Sequence, residues 1–213
     1  MNAHEIKNKT SEKFSEWAEE YDRSLLQGLV FRQSHDMFLS QIKSHPEIDK
    51  LRVLDVGCGT GKFISSLLDQ SGGIKLDGVD ISPDMIKVAS SKFEKDNVNF
   101  KVGDVENLPY ENSMFDIVTC CHSFHHYPDQ RKAVSEMYRV LKKTGKLMIV
   151  DGCRDGLRGR IIFGLVIKRF EKDVYHILAR ELQEMFKVTG FKEVFQKVFN
   201  PLIPLLFTVG TKE

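Results

Sequence analysis

The sequence predicts a doubly wound α/β fold built on a mainly parallel sheet. Three observations carry this prediction. Short apolar runs alternate with helix-like stretches, a glycine-rich turn joins the first apolar run to a helix, and an acidic residue ends the second run. Repeated strand–helix–strand units need right-handed crossovers, which place helices on both faces of a parallel sheet. Ligands of such folds bind at the carboxyl ends of the strands.

Five apolar runs are predicted as parallel strands, at residues 51–56, 74–80, 98–102, 115–121 and 146–151. Helices are predicted over 62–70, 83–94, 131–141 and 175–189. The second of these helices has Ser82 as its N-cap and Pro83 in its first turn. The runs 191–199 and 205–211 are close enough in the chain to pair only as a hairpin. The expected sheet therefore has seven strands, with an antiparallel C-terminal hairpin.

Composition and charge exclude several classes of protein. Lys and Arg total 31 against 30 Asp and Glu, so no overall positive field would hold a nucleic acid. The N-terminus lacks the apolar stretch of a signal peptide, and no apolar run approaches the roughly 18 residues of a membrane span. These features predict a cytoplasmic protein. The four cysteines contain no Cys-x-x-Cys pair, which predicts reduced thiols and no zinc site.

The glycine-rich turn contains Gly57, Gly59 and Gly61, directly between an apolar strand and an amphipathic helix. Glycines at such a turn let the backbone approach a ligand closely. Their spacing is shorter than the Gly-x-Gly-x-x-Gly of dinucleotide-binding loops, which favours a cofactor without a phosphate. A purely structural turn is the alternative interpretation of this loop.

An adenosine pocket is predicted beside this turn. Asp80 ends the second strand, where a carboxylate can accept hydrogen bonds from both ribose hydroxyls. The alternative role, capping the helix that begins at Pro83, is weaker because Ser82 already stands at the cap position. After the third strand, Asp104 can accept a hydrogen bond from an adenine amine, and Val105 can pack against the ring.

Residues 53–151 resemble the class I S-adenosylmethionine-dependent methyltransferases, specifically the branch similar to ubiquinone and menaquinone C-methyltransferases. The resemblance implies a Rossmann-like fold with S-adenosylmethionine as cofactor. It also implies that Asp55 helps hold the cofactor's amine, that Ile81 lies beside the adenine and that Cys121 lies near the cofactor. In the same way Gly57, Cys58 and Gly59 would lie beneath the methionine portion, with Asp80 at the ribose and Asp104 and Val105 at the adenine edge.

The aromatic segment 14–22 resembles a helix that covers the cofactor in this branch, which makes Tyr21 a candidate neighbour of the reactive methyl.

The predicted reaction is direct methyl transfer to a small or lipophilic acceptor. The turn after the fourth strand reads Cys-Cys-His-Ser and lacks the Asn/Asp-Pro-Pro-Tyr/Phe pattern of methyltransferases that modify amines in nucleic acids. Arsenite methylation is disfavoured because the expected cysteines are missing. His125 and His126 are the candidate catalytic bases, with packing or cofactor shielding as their alternative role. A metal site at His122, His125 and His126 is not expected, since no carboxylate or thiolate stands at ligand spacing.

One methyltransferase domain is expected over 1–213, divided into a helical cap (1–45), a cofactor-binding core (51–151), an acceptor-side insertion (152–190) and the hairpin (191–213). The insertion mixes cationic residues with an apolar run in 152–170, which fits either contact with an anionic membrane surface or a helix packed over the active site. Two other functions remain as alternatives: a methyltransferase-like interaction module that binds the cofactor, and a nicotinamide-dependent oxidoreductase. The acceptor, the methylated atom and the oligomeric state stay open.

Overall fold

The fold is described from a computed structural model of the chain. The structure describes residues 5, 7, 12, 25–70, 72–93, 96–170, 174–200 and 202–213. Tyr21 and most of the predicted cap before residue 25 lie outside these residues.

Seven strands form one sheet in the order β3-β2-β1-β4-β5-β7-β6. The strands are β1 (Arg52–Val56), β2 (Lys75–Asp80), β3 (Val98–Val102), β4 (Phe115–Cys121), β5 (Leu141–Gly152), β6 (Phe191–Phe199) and β7 (Leu205–Lys212). Strands β1 to β5 are parallel to one another. Strand β7 lies between β5 and β6 and is antiparallel to both. The predicted fold class and the C-terminal hairpin are therefore confirmed.

The first described α-helix precedes β1, and the others connect the strands. The helices are α1 (Leu25–Lys43), α2 (Lys62–Leu68), α3 (Pro83–Lys92), α4 (Gln130–Val140), α5 (Gly156–Ile161), α6 (Ile167–Phe170) and α7 (Ala179–Thr189). A π-helical turn, Ile162–Val166, joins α5 to α6. As predicted, the Ser82 hydroxyl caps α3 by accepting the Met85 N–H at 3.2 Å. None of the described helices is long and apolar enough to cross a membrane.

Two apolar clusters cover the two faces of the sheet. One contains residues of α4 and α7, such as Met137 and Phe186, and the other contains residues of α1 and α2, such as Phe38 and Phe63. Cys120 belongs to the first cluster and Cys121 packs against the second. Strand alternation thus sends these neighbours to opposite faces, and all four cysteines are free thiols, as the sequence predicts.

The fifth strand begins earlier than predicted. The sequence predicts a helix over 131–141 and a strand over 146–151, but the observed helix is Gln130–Val140 and the observed strand is Leu141–Gly152. Leu141 is extended and pairs with Phe115, so the helix ends at Val140 and β5 begins at Leu141. The pairing with β4 then shifts register before Lys146, where the predicted strand starts. Leu141 continues the apolar periodicity of the helix, and its pairing depends on a residue far away in sequence.

Candidate functional site

A cleft of about 770 Å³, open mouth included, lies at the carboxyl ends of the parallel strands. The strand order reverses between β1 and β4, which is where doubly wound sheets bind ligands. Among the predicted site residues, those that line the cleft are Gly57, Gly59, Asp80, Ile81, Asp104, Val105, Cys121 and His126.

The turn after β1 has the backbone that its glycines predict. Gly57 and Gly59 have φ values of +69° and +52°, in the left-handed region that disfavours other residues. Val79 fixes the turn to β2, since its carbonyl accepts the Gly57 N–H at 2.8 Å and the Cys58 N–H at 3.1 Å. A Cβ at Gly57 would lie 2.3 Å from Ser123 Oγ, whereas one at Gly59 would meet no atom within 4 Å. Gly57 is thus needed for packing, and Gly59 faces open space at the cleft.

Asp80 is joined to this turn by backbone hydrogen bonds. Its Oδ2 accepts the Gly59 N–H and its Oδ1 accepts the Ser82 N–H, both at 2.9 Å. Burial raises the pKa of Asp80, and the two backbone N–H groups oppose this shift by stabilising the carboxylate. The carboxylate is therefore held at the cleft in one orientation, beside the glycine turn.

Asp55 and Cys58 line a smaller cavity that adjoins the cleft and shares Gly57, Gly59 and Cys121 with it. The Asp55 carboxylate is buried near the end of β1 and accepts the Thr119 hydroxyl at 2.7 Å. Burial raises the pKa of Asp55 to about 7, and the nearby Asp80 adds to the rise. A cation placed in this cavity would favour the ionised carboxylate.

Asp104 and Val105 lie at the far side of the cleft, after β3. Val105 is buried at the edge of the core. Asp104 forms an ion pair with Lys7 at 2.7 Å, and the same ammonium contacts Glu106 at 2.6 Å. The Asp104 carboxylate therefore already has a partner from the N-terminal segment, which the sequence did not predict.

The two candidate bases occupy different surroundings. His126 lines the cleft, whereas His125 does not, although their ring centroids are only 4.1 Å apart. His122 also lines the cleft, where Ser34 Oγ lies 2.8 Å from its Nε2. Burial lowers the pKa of His122 to about 4, so this imidazole is neutral at physiological pH.

His125 belongs to a cluster behind the cleft. Its Nδ1 lies 2.7 Å from Asp151 Oδ1, and its backbone N–H donates to Asp151 Oδ2 at 3.0 Å. The His176 ring stacks on the His125 ring, with centroids 4.4 Å apart. Burial alone would raise the pKa of Asp151, but the two imidazoles hold this pKa well below its usual range.

The cleft also contains residues that the sequence analysis missed. Besides Lys7, they include Met85, Ser123 and Tyr127. The Ser123 hydroxyl donates to the Val56 carbonyl at 3.1 Å and lies 2.8 Å from the Tyr127 hydroxyl, so these side chains join the β4 turn to the glycine turn. No motif marks them, because their contacts form only when β1 and β4 become neighbours.

Comparisons with known proteins identify relatives of this chain. Residues 54–149 match a methyltransferase-domain family model. The chain is 39% identical over 125 residues to the uncharacterized methyltransferase YcgJ of Bacillus subtilis, covering 57% of this chain and 48% of that protein. It is 32% identical over 182 residues to the uncharacterized protein MJ1123 of Methanocaldococcus jannaschii, covering 85% and 82%. A demethylmenaquinone methyltransferase of Lactococcus lactis is 28% identical, with 67% and 58% covered.

Solved structures extend the similarity to the whole fold. An S-adenosylmethionine-dependent methyltransferase from Thermotoga maritima has a TM-score of 0.72 at 27% identity, over 95% of this chain and 99% of that one. The magnesium protoporphyrin IX methyltransferase of Synechocystis, solved with bound S-adenosylhomocysteine, has a TM-score of 0.78 at 16% identity, over 97% of this chain and 100% of that one. The chain therefore belongs to the class I S-adenosylmethionine-dependent methyltransferases and is related to the quinone methyltransferases of this class.

Proposed function

We propose that the protein binds S-adenosylmethionine in the cleft and transfers its methyl group to a small or lipophilic acceptor. The order of groups along the cleft carries this proposal. The glycine turn, Asp80 and Asp104 follow β1, β2 and β3, which are adjacent in the sheet. A ligand that spans them meets the closely approaching backbone of the glycine turn, then the half-buried Asp80 carboxylate, then the Asp104 carboxylate.

The residues present fit the parts of the cofactor. The adjoining cavity with buried Asp55 suits an ammonium, and the open space at Gly59 suits a group that lies against the backbone. Both Asp80 oxygens keep lone pairs for the ribose hydroxyls after they accept one N–H each. At the predicted adenine end, the Lys7 ammonium already donates to Asp104. An adenine amine would either share the Asp104 carboxylate with Lys7 or displace Lys7 from it.

When bound, S-adenosylmethionine supplies an electrophilic methyl on a sulfonium that already carries its leaving group. The protein's task is then alignment, which contributes roughly 7–11 kcal/mol in favourable cases. Asp55 would hold the cofactor's amine and Asp80 its ribose, so the sulfonium between these two groups would be fixed in place. His126 lines the cleft and would take a proton from a phenol, enol or activated carbon.

The test of this proposal is a titration of the full chain with S-adenosylmethionine and with NAD⁺, followed by an acceptor screen. Quinols, phenols and amines are offered in turn, and release of S-adenosylhomocysteine is measured. We expect saturable binding of S-adenosylmethionine, no binding of NAD⁺, and product release with at least one acceptor class. Binding without release on any acceptor would instead favour the interaction module, and saturable NAD⁺ binding would favour an oxidoreductase.

The affinity for S-adenosylmethionine is expected to rise with pH between 6 and 8. Because the pKa of Asp55 is about 7 in the free protein, the neutral acid predominates below pH 7. An ammonium favours the carboxylate, so binding must release this proton and weakens by up to about tenfold per pH unit below the pKa. Calorimetric titrations of the wild type and of Asp55→Asn measure the effect. The amine of free S-adenosylmethionine titrates in the same way in both experiments, so it does not account for a difference between the two proteins. If affinity changes with pH equally in the wild type and in Asp55→Asn, the role of Asp55 is contradicted.

Replacing His126 by glutamine is expected to lower turnover by about 100-fold or more, the range for loss of a general base, with little change in cofactor affinity. His125→Gln is the matched comparison, since its ring touches that of His126 but does not line the cleft. Turnover and the dissociation constant of S-adenosylmethionine are measured for both variants. Unchanged turnover in His126→Gln would leave only a packing or shielding role for this residue.

An exposed apolar strip supports the choice of a lipophilic acceptor. Leu157, Ile161 and Leu165 recur every four residues along the helical segment 156–170, and Leu157 and Leu165 are 76% and 68% exposed. The cationic residues Arg158 and Arg160 are exposed on the same segment. Apolar side chains flanked by arginines are typical of segments that rest on an anionic bilayer surface. We propose peripheral membrane contact through this strip.

Flotation with anionic liposomes at low salt tests the membrane contact. The wild type is expected to float, and the double variant Leu157→Ser, Leu165→Ser is expected to lose more than about tenfold in partitioning, because burial of each leucine is worth roughly 1.5–3 kcal/mol. Val188→Ser is the control, since Val188 is also 68% exposed but lies in the last turn of α7, next to Phe191, which pairs with the end of β7 remote from Leu205 and Gly152. A wild type that stays unbound, or equal losses in both variants, would count against the contact.

A further inference from the structure

Three side chains that can ligate a metal converge behind the cleft. His125 comes from the turn after β4, Asp151 from the end of β5, and His176 from the segment that precedes α7. Among the described residues, their ligand atoms form a group of three that lie within 4.8 Å of one another. Asp151 Oδ1 is 2.7 Å from His125 Nδ1 and 3.6 Å from His176 Nδ1.

His176 has no hydrogen-bond partner in the part of the chain that the structure describes. Its ring is buried, and neither Nδ1 nor Nε2 is bonded. The ring contacts those of His125 and Phe163, with centroid distances of 4.4 and 4.5 Å. Buried polar groups in folded proteins almost always have a partner, so an imidazole at this place calls for one.

The neighbouring backbone is arranged around these three side chains. A Cβ at Gly152 would lie 2.8 Å from His176 Nδ1 and 2.5 Å from Phe163, so only glycine lets the imidazole approach Asp151 this closely. Asp151 is itself oriented by the backbone N–H groups of His125, at 3.0 Å, and Gly152, at 2.6 Å. Hydrogen bonds of this kind to a carboxylate orient it as a ligand in metal sites.

The donor set selects among metals. Two imidazoles and one carboxylate are ligands of catalytic zinc and of non-haem iron, whereas Mg²⁺ and Ca²⁺ prefer oxygen ligands. Two ligands of a tetrahedral ion with bonds of 2.0–2.1 Å are roughly 3.3 Å apart. The distances from Asp151 Oδ1, 2.7 and 3.6 Å, lie on either side of this value. Small ring rotations would bring the three atoms to one ion.

We propose that His125, Asp151 and His176 form a binding site for one divalent transition-metal ion of the zinc class. This site could not be predicted from sequence spacing. The histidines that stand close together in the chain are His122, His125 and His126, whereas Asp151 and His176 are distant from them in sequence. The ion ties the β4 turn to β5 and to the segment before α7. The proposal does not depend on S-adenosylmethionine binding, since none of the three residues lines the cleft.

The first experiment uses the full chain after chelator treatment and dialysis. Zn²⁺ is titrated by competition with a chromophoric chelator, and Co²⁺ is titrated while its visible absorption is recorded. We expect one Zn²⁺ per chain, a Co²⁺ spectrum of a four- or five-coordinate site with nitrogen and oxygen ligands, and a higher thermal midpoint with Zn²⁺. Failure of the wild type to bind either ion stoichiometrically would overturn the proposal and leave the proposed methyl transfer untouched.

Variants assign the ligands. His176→Gln and His125→Gln are each expected to weaken Zn²⁺ binding by at least about tenfold, the lower bound even for loss of an outer-shell partner. His126→Gln is the matched control, because its ring contacts His125 but lies outside the group of three. Equal affinity in His176→Gln and the wild type would refute the site. Should His176→Gln not fold, X-ray absorption of the wild-type Zn²⁺ complex decides, since fewer than two imidazole ligands would also refute it.

Discussion

Asp80→Ala is expected to weaken S-adenosylmethionine binding by about 100-fold or more. In the proposed binding mode the carboxylate accepts both ribose hydroxyls, and each hydrogen bond to a charged group is worth roughly 1.5–3 kcal/mol. The sum of two such bonds corresponds to at least about two orders of magnitude in the dissociation constant. Isothermal titration of the purified variant measures the change.

Two further variants separate the ribose contact from a general loss of structure. Asp84→Ala is the control, because Asp84 is an exposed carboxylate in the first turn of α3, and its loss is expected to leave binding within about threefold of wild type. Asp80→Asn keeps the shape of the side chain. Its amide accepts only one of the two backbone N–H groups. Burial raises the pKa of Asp80, so the charge that the substitution removes opposes folding at neutral pH, and this gain offsets the lost hydrogen bond. The asparagine variant is therefore expected to stay folded at the assay temperature while it loses affinity. An affinity of Asp80→Ala within threefold of wild type would refute the ribose assignment.

The sequence predicted the glycine turn and Asp80 because their conformations depend on near neighbours. The positive φ values are a local property of the glycines, and Asp80 ends β2 two residues before the Ser82 N–H that it accepts. The N-cap at Ser82 is equally local. Such features are visible in a single sequence.

Features that join distant segments could not be predicted in this way. The Lys7–Asp104 ion pair spans 97 positions, and the contact between Ser123 and the Val56 carbonyl spans 67. His176 approaches Asp151 only because the segment before α7 packs over the end of β5, where Cys153 bridges Ile177. In each case the chemistry depends on strand order, which periodicity alone does not specify.

The largest effect on folding is expected from Gly57→Ala, and Gly59→Ala separates folding from binding. Both glycines have positive φ, so alanine costs roughly 1–2 kcal/mol at either position. At Gly57 the new Cβ also collides with Ser123 Oγ and Tyr127 Oη, which lie 2.3 and 2.9 Å from it. Overpacking of this kind adds about 1–3 kcal/mol. At roughly 2–4 °C per kcal/mol for a chain of this size, we expect the thermal midpoint of Gly57→Ala to fall by about 4–20 °C.

Gly59→Ala is expected to lose only a few degrees, because its Cβ meets no atom within 4 Å. The methyl group enters the space where the cofactor would lie against the backbone, so affinity for S-adenosylmethionine falls although the fold persists. Gly72→Ala is the control, since it also has open space around its Cβ but lies away from the cleft. Thermal unfolding and cofactor titration are measured on all three variants. If Gly59→Ala binds as tightly as Gly72→Ala, the open space at this turn belongs to solvent, and the cofactor must approach the sheet by another route.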